Sequence, residues 1–174
     1  SAVVLEELIG QFLFDKAAEE DDETLSTDEL ITTCILLLNA GHEATVHSMG
    51  NAVKTLLEHD TLGSALDGDN IADTAEELLR YDPPLHMFQR WAYENIEVGP
   101  HMLKKGSKVA CLLAAANRDP ARGENPDQFD PNRIVQTNVS FGAGTHFCIG
   151  APLARLEMKA ALPILFNRLP NLHL

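Results

Sequence analysis

Phe141-Gly142-Ala143-Gly144-Thr145-His146-Phe147-Cys148-Ile149-Gly150 is the stretch on which the reading of this chain turns. One cysteine sits among glycines at 142, 144 and 150, and a helix-forming run starts just beyond it. Glycine takes positive φ and lets the backbone approach a flat ligand closely. A helix start directs amides and the positive end of its dipole at what precedes it, which favours thiolate over thiol. A sulfur in such a setting suits a metal. For a lone cysteine, a buried inert thiol beside a turn would explain as much, so the rest of the chain has to decide.

Downstream of the loop a helix is expected from about Pro152 to about Leu169. Upstream, Asn117 to Arg133 is rich in Pro, Asp, Asn and Arg and reads as an irregular, ordered loop. From Leu85 to Val109 the pattern breaks into short alternating pieces, Trp91–Tyr93, Ile96–Val98 and Lys108–Ala110, with Lys105-Gly106 as a turn. These predict small strands and hairpins. A clear helix precedes them, Ile71–Tyr81, capped by Asp69 or Asn70 and ended by Pro83-Pro84. Thr61 to Asp69 reads as a short helix and a turn. Ser26 with Glu29 forms a capping box that opens a long helix from about Thr27 to about His59. Gly41 and Gly50 inside it each cost roughly 1 kcal/mol, so Gly41 needs a reason. Val3, Val4, Leu5, Leu8, Ile9, Phe12 and Leu13 recur at helical spacing and predict an opening amphipathic helix. The fold class is mainly α, an α+β chain with small hairpins, read as one domain over residues 1–174.

Composition narrows the function classes. A chain of 174 residues, 45% hydrophobic and 22% charged, is that of a globular protein. Its formal net charge of −13 argues against nucleic acid and anionic membrane surfaces as partners. The acidic run Glu19–Glu23 reads as a solvated linker. The three cysteines, Cys34, Cys111 and Cys148, are odd in number and show no metal-ligand spacing, which speaks against a disulfide framework. A reducing cytoplasm fits. Ala2–Ile9 lacks the character of a signal peptide, and the apolar run Cys34–Leu38 is far short of a membrane span. Cys34 and Cys111 lie in apolar stretches and are expected to be inert core residues.

With Phe141, Gly144, Cys148 and Gly150 in place, the loop resembles the haem-binding signature of the cytochrome P-450 superfamily, Phe-x-x-Gly-x-x-x-Cys-x-Gly, in every fixed position. The continuation Ala151-Pro-Leu-Ala-Arg155-Leu-Glu is typical of its soluble bacterial members. The resemblance implies a haem b cofactor, with Cys148 supplying the axial thiolate to iron. It places Phe141 near the sulfur and has the amides around Ile149 and Gly150 tune it. It also implies the C-terminal part of that fold, with a long central helix, and a length less than half of a full member.

Further motifs join through the same resemblance. Glu77-Leu-Leu-Arg80 lies on the Ile71–Tyr81 helix, where residues three apart share a face. Alone, such a pair is usually a surface ornament. In the family it is joined by an arginine from the later loop, matched here by Arg133 in Phe129-Asp-Pro-Asn-Arg133, with a structural role on the proximal side. Arg90 and His146 are expected to neutralise two haem propionates. On the long helix, Ala40-Gly41-His42-Glu43-Ala44-Thr45 resembles the oxygen-activation segment, in which a small pair opens the helix over the haem and so gives Gly41 its reason. Glu43 matches the acid of the acid–alcohol pair that relays protons. The alcohol position holds Ala44, with Thr45 next along, and one helical step is about 100° of rotation, so Thr45 does not simply take over. A zinc reading of His42-Glu43 fails, because the next histidine, His47, comes five residues after the first rather than four.

The function so implied is oxygen insertion into an apolar small-molecule substrate, with electrons from a ferredoxin-like donor. Arg155, Lys159 and Arg168 are candidates for docking that donor, or equally a solvated helix face. The alternative is a non-catalytic remnant that folds and self-associates without stoichiometric haem. The long helix is apolar on more than one face, which predicts self-association, most simply as a homodimer, or cover by Ser1–Glu23, or aggregation. The resemblance also implies that one wall of the haem pocket is missing, hence weak or absent haem in the isolated chain.

Overall fold

The computed structural model describes residues 25–174 except 60, 67, 69, 135 and 136. The expected helix over Val3–Leu13, the acidic run and Asp69 lie outside the described residues. Five helices are present among those described: α1 (Thr27–Glu58), α2 (Leu62–Ala65), α3 (Ile71–Tyr81), α4 (Leu113–Ala116) and α5 (Ala151–Arg168). Four short strands lie between α3 and α4: β1 (Met87–Trp91), β2 (Ile96–Val98), β3 (His101–Leu103) and β4 (Lys108–Leu112). The chain divides into two units, Ser1–Glu43 and Ala44–Leu174, with the boundary inside α1.

In the first unit the helix start is set by a reciprocal cap. The Glu29 amide donates to Ser26 Oγ at 3.3 Å, while Glu29 Oε2 accepts from the Ser26 amide at 2.9 Å and from its hydroxyl at 2.8 Å. Two of the amides that a helix leaves unpaired at its start are satisfied this way. The α-helix then runs without interruption through Ala40 and Gly41, with no opened turn there. A Cβ at Gly41 would meet nothing within 4 Å.

The second unit holds the core. Ala52 and Leu56 of α1, Ala65 of α2, Ala75, Leu78 and Leu79 of α3, Phe129, and Met158 and Leu162 of α5 form one cluster. Leu56 and Leu162 are fully buried, each stabilising the fold by roughly 1.5–3 kcal/mol through transfer from water. The helices α3 and α5 pack on each other. Pro163 lies inside α5 and cannot donate a backbone hydrogen bond there.

The strands form two separate antiparallel ribbons. In one, Met87 faces Leu112, Phe88 faces Cys111 and Arg90 faces Val109; in the other, Ile96 faces Leu103 and Val98 faces His101. The first strand lies upstream of the expected Trp91–Tyr93, and β3 was not expected at all. Polar Gln89 and Arg90 interrupt the apolar alternation of β1, and most residues of both ribbons face solvent, so burial leaves little period-two signal. The same exposure corrects the expectation of a core thiol at Cys111, which is exposed, whereas Cys34 is half-buried. Among the described residues, the apolar stretch in this two-stranded ribbon has no second sheet layer over it. The apolar residues Ile31, Ile35, Leu36, Leu38 and Val46 of α1 are likewise more than half exposed. No helix among the described residues is long and apolar enough to cross a membrane.

Candidate functional site

The cysteine loop is closed by its own backbone. The Cys148 amide donates to the Phe141 carbonyl at 3.0 Å, the Gly142 amide to the Val139 carbonyl at 2.8 Å, and the Phe147 amide to the Gly144 carbonyl at 3.0 Å. Gly142 and Gly144 make these reversals at φ 74° and 71°, in the left-handed region where a side chain is strained. A single 3-10 turn, Gly144–His146, carries the chain to Cys148, and α5 begins at Ala151 with Gly150 at its cap.

Cys148 is exposed. A Cβ at Gly150 would stand 3.8 Å from its sulfur, so the glycine leaves the space beside Sγ open. Ile149 is exposed and His146 lies on the exposed 3-10 turn. A Cβ at Gly142 would stand 3.8 Å from the His146 carbonyl and 3.9 Å from Cε2 of Phe88, which brings the loop against β1. Arg90 stands two residues along β1 from Phe88, its guanidinium carbon 5.6 Å from the Phe88 ring centroid. The structure therefore brings Cys148, His146 and the Phe88–Arg90 edge to one region of the second unit. Gly41 and Glu43 belong to the first unit. Ala44 and Thr45 open the second and are half-buried.

Between α3 and the 117–133 segment lies a buried charge cluster. Glu77 is fully buried. Arg80 Nε and Nη2 donate to its two carboxylate oxygens at 2.6 and 2.8 Å, Arg133 Nε donates to Oε1 at 3.1 Å, and the Asp130 amide donates to the same oxygen at 3.1 Å. Both arginines then spend their remaining donors on backbone carbonyls. Arg80 reaches Asn117, Pro126 and Gln128, and Arg133 reaches Glu124, Asn125 and Gln128. Backbone in an irregular segment has few partners of its own, and the two guanidinium forks supply them. The 117–133 loop is thereby fixed to α3.

Sequence reasoning missed a second set of residues. Buried Asn117 donates through Nδ2 to Ser140 Oγ at 2.8 Å and accepts the Val139 amide at 2.8 Å, and Ser140 Oγ donates to the Leu79 carbonyl at 2.7 Å. Arg155, a candidate for docking a donor or for a solvated helix face, pairs with Glu76 through Nε and Nη2 and lies 4.6 Å over the Phe141 ring. Lys159 and Arg168 stay exposed. The signal for Glu76 was the doubled acid Glu76-Glu77 on an amphipathic helix, where two adjacent carboxylates cannot share one environment.

The donor set bears on what the site could hold. Among the described residues no group of three or more His, Cys, Asp and Glu side chains could hold a metal ion. An ion taken by Cys148 would find no such group of further donors among the described residues, and a metallated macrocycle brings its own. A soft sulfur, on an exposed residue and flanked by glycine, fits such a macrocycle.

The sequence pattern of the cytochrome P-450 family matches residues 72–169, more than half of the chain and the whole of this site except α1. This chain belongs to the cytochrome P-450 family. It is 43% identical over 161 residues to the biotin biosynthesis cytochrome P-450 of Bacillus subtilis, covering 91% of this chain and 40% of that protein. It is 40% identical over 161 residues to the 6-deoxyerythronolide B hydroxylase of Saccharopolyspora erythraea, again covering 91% and 40%. The structure of the bacillaene polyketide synthase cytochrome P-450 PksS of Bacillus subtilis superposes with a TM-score of 0.83 at 35% identity, covering 98% of this chain and 48% of that one. The helix-rich architecture with small antiparallel ribbons is the C-terminal part of the cytochrome P-450 fold. The chain spans about 40% of the length of the curated relatives it matches.

Proposed function

We propose that this cytochrome P-450 chain carries the haem-thiolate portion of a monooxygenase, in which Cys148 would supply the thiolate that holds the haem iron. The observation that carries this reading is exposed Cys148 with its sulfur beside Gly150, on a loop closed by the Cys148 amide and the Phe141 carbonyl. Haem held there supplies activation of O2 and insertion of one oxygen atom into an apolar small-molecule substrate, with electrons from a ferredoxin-like donor. Phe141 backs the loop, while Gly144, Ile149 and Gly150 keep the backbone close and its amides near the sulfur. Arg90 and His146 neutralise the two propionates, a role supported by the approach of β1 to the loop at Gly142. Glu77, Arg80 and Arg133 hold the proximal segment that supports the loop.

Glu43 is the acid of the proton relay. Ala44 offers no hydroxyl, and Thr45 lies about 100° further round α1, so a hydroxyl of the substrate or a water completes the relay. The cytoplasm is the compartment of the reaction, where a free thiol stays reduced.

The test is a carbon monoxide difference spectrum of the reduced chain supplied with haem. Thiolate-ligated haem is expected, lost in Cys148→Ala and kept in Cys111→Ala. A thiolate spectrum that survives Cys148→Ala overturns the assignment. A second reading is a folded chain that self-associates without stoichiometric haem, supported by the exposed apolar residues of α1. Stoichiometric haem in a dilute monomer overturns that one.

A further inference from the structure

We infer that Arg155 is a positioning residue for the Cys148 loop, held in place by Glu76 and acting through Phe141. The inference rests on the reading of Cys148 as a ligand and adds a part to that site. Arg155 stands on α5 seven residues after Cys148, close to where the loop hands over to the helix. Its guanidinium carbon lies 4.6 Å from the centroid of the Phe141 ring, and the Phe147 ring lies 6.3 Å from that same ring. Phe141 thus meets a cation and the residue just before the ligand. Its carbonyl accepts the Cys148 amide at 3.0 Å. Whatever fixes the Phe141 ring fixes the acceptor that orients Cys148.

Glu76 ties this arrangement to α3 and to the start of the loop. Its carboxylate takes Nε and Nη2 of Arg155 in a two-pronged pair, the latter at 3.1 Å. The same Oε2 accepts from Asn138 Nδ2 at 3.1 Å, and Asn138 Oδ1 accepts the Ser140 amide at 3.1 Å. One carboxylate therefore joins α3, the entry of the loop and the helix at its exit. The Arg155 and Glu76 side chains are 30% and 27% exposed, which leaves the pair less screened than a surface salt bridge and cheaper to desolvate than a buried one. A planar guanidinium serves both tasks at once, since its edge binds a carboxylate and its face stacks on an aromatic ring.

The test uses the full chain without added haem, carrying Cys34→Ser and Cys111→Ser so that Cys148 is its only thiol. Amide exchange is followed for 141–150 and for α3, alongside the rate at which iodoacetamide alkylates Cys148. Glu76→Gln and Arg155→Met are expected to speed exchange of the Phe147 and Cys148 amides about tenfold, ~1.4 kcal/mol of local opening. Cys148, already exposed, is alkylated at an unchanged rate, α3 exchange stays unchanged, and Arg155→Lys restores only part of the protection, since an ammonium makes no two-pronged pair. Unchanged loop exchange in both variants overturns the inference, and so does a rise in which α3 and the loop open together. Neither readout needs haem, so a missing thiolate spectrum would defeat the ligand reading without being mistaken for failure of the clamp.

Discussion

The amide of Cys148 and the carbonyl of Phe141 are joined by a 3.0 Å hydrogen bond that closes the segment between them into a loop. The closure depends on two left-handed glycines, Gly142 and Gly144. For Gly142, the atoms a Cβ would approach lie at 3.8 and 3.9 Å, which is ordinary contact, and for Gly144 nothing lies within 4 Å. The cost of a side chain at either position is therefore backbone strain and not collision. Gly142→Ala and Gly144→Ala are each expected to destabilise the loop by about 1–2 kcal/mol. Limited proteolysis within 141–150 should rise while the global unfolding midpoint moves little. Equal proteolysis in wild type and both variants would show that the loop has another source of order.

The buried carboxylate of Glu77 gives a graded expectation. Glu77→Gln leaves the Arg80 charge buried without its partner, and a loss of about 3–5 kcal/mol is expected in urea unfolding. Arg133 is the more exposed partner, with 18% of its side chain accessible, so Arg133→Met should cost less, on the order of 1–3 kcal/mol, most of it in carbonyls left without donors. The reverse ranking would place the weight of the cluster on Arg133.

At the start of α1, the backbone and side-chain hydrogen bonds from Ser26 hold the Glu29 carboxyl below the usual glutamate range. A carboxyl whose folded pKa is depressed contributes stability above its unfolded pKa and loses it as pH falls through the folded value. Helix content of the native chain should therefore drop on acidification in a step that Glu29→Gln removes and Ser26→Ala weakens. Circular dichroism against pH, with all three chains in parallel, reads this directly. Coincident curves would mean that the cap does not govern the first turn.

The exposed apolar residues of α1 carry the expectation of self-association. Leu36 is 64% exposed and Ile35 54%, a poor arrangement for a dilute monomer when it continues along a helix. Light scattering is expected to show a mass that rises with concentration, and Ile35→Glu with Leu36→Glu should return it to that of one chain. A concentration-independent monomer in wild type would rule out the homodimer.

Local chemistry explains which parts of the fold were legible in the sequence. The helix over Ile71–Tyr81 was read to its ends because Pro83-Pro84 stops it, and α1 because Ser26 and Glu29 announce it. The cysteine loop was legible because positive φ demands glycine. The network behind it was not. The partners Glu76 and Arg155 are 79 residues apart and Asn138 stands 62 from Glu76, and no periodicity spans such distances. The exposure of Cys111 escaped for the opposite reason. Its neighbours look like core, and only the pairing of β4 with β1 alone reveals that most of them face solvent.

The way Glu77, Arg80 and Arg133 divide their hydrogen bonds also constrains how this chain can drift. Replacing any one of the three strands a charge or a set of carbonyls, so every single step descends into a valley of lower stability, and any trio that climbed out of it would need new donors for the same carbonyls. Neutral wandering cannot cross that valley one base change at a time. The three positions should be inherited as a unit, tolerating change around them far more readily than among themselves.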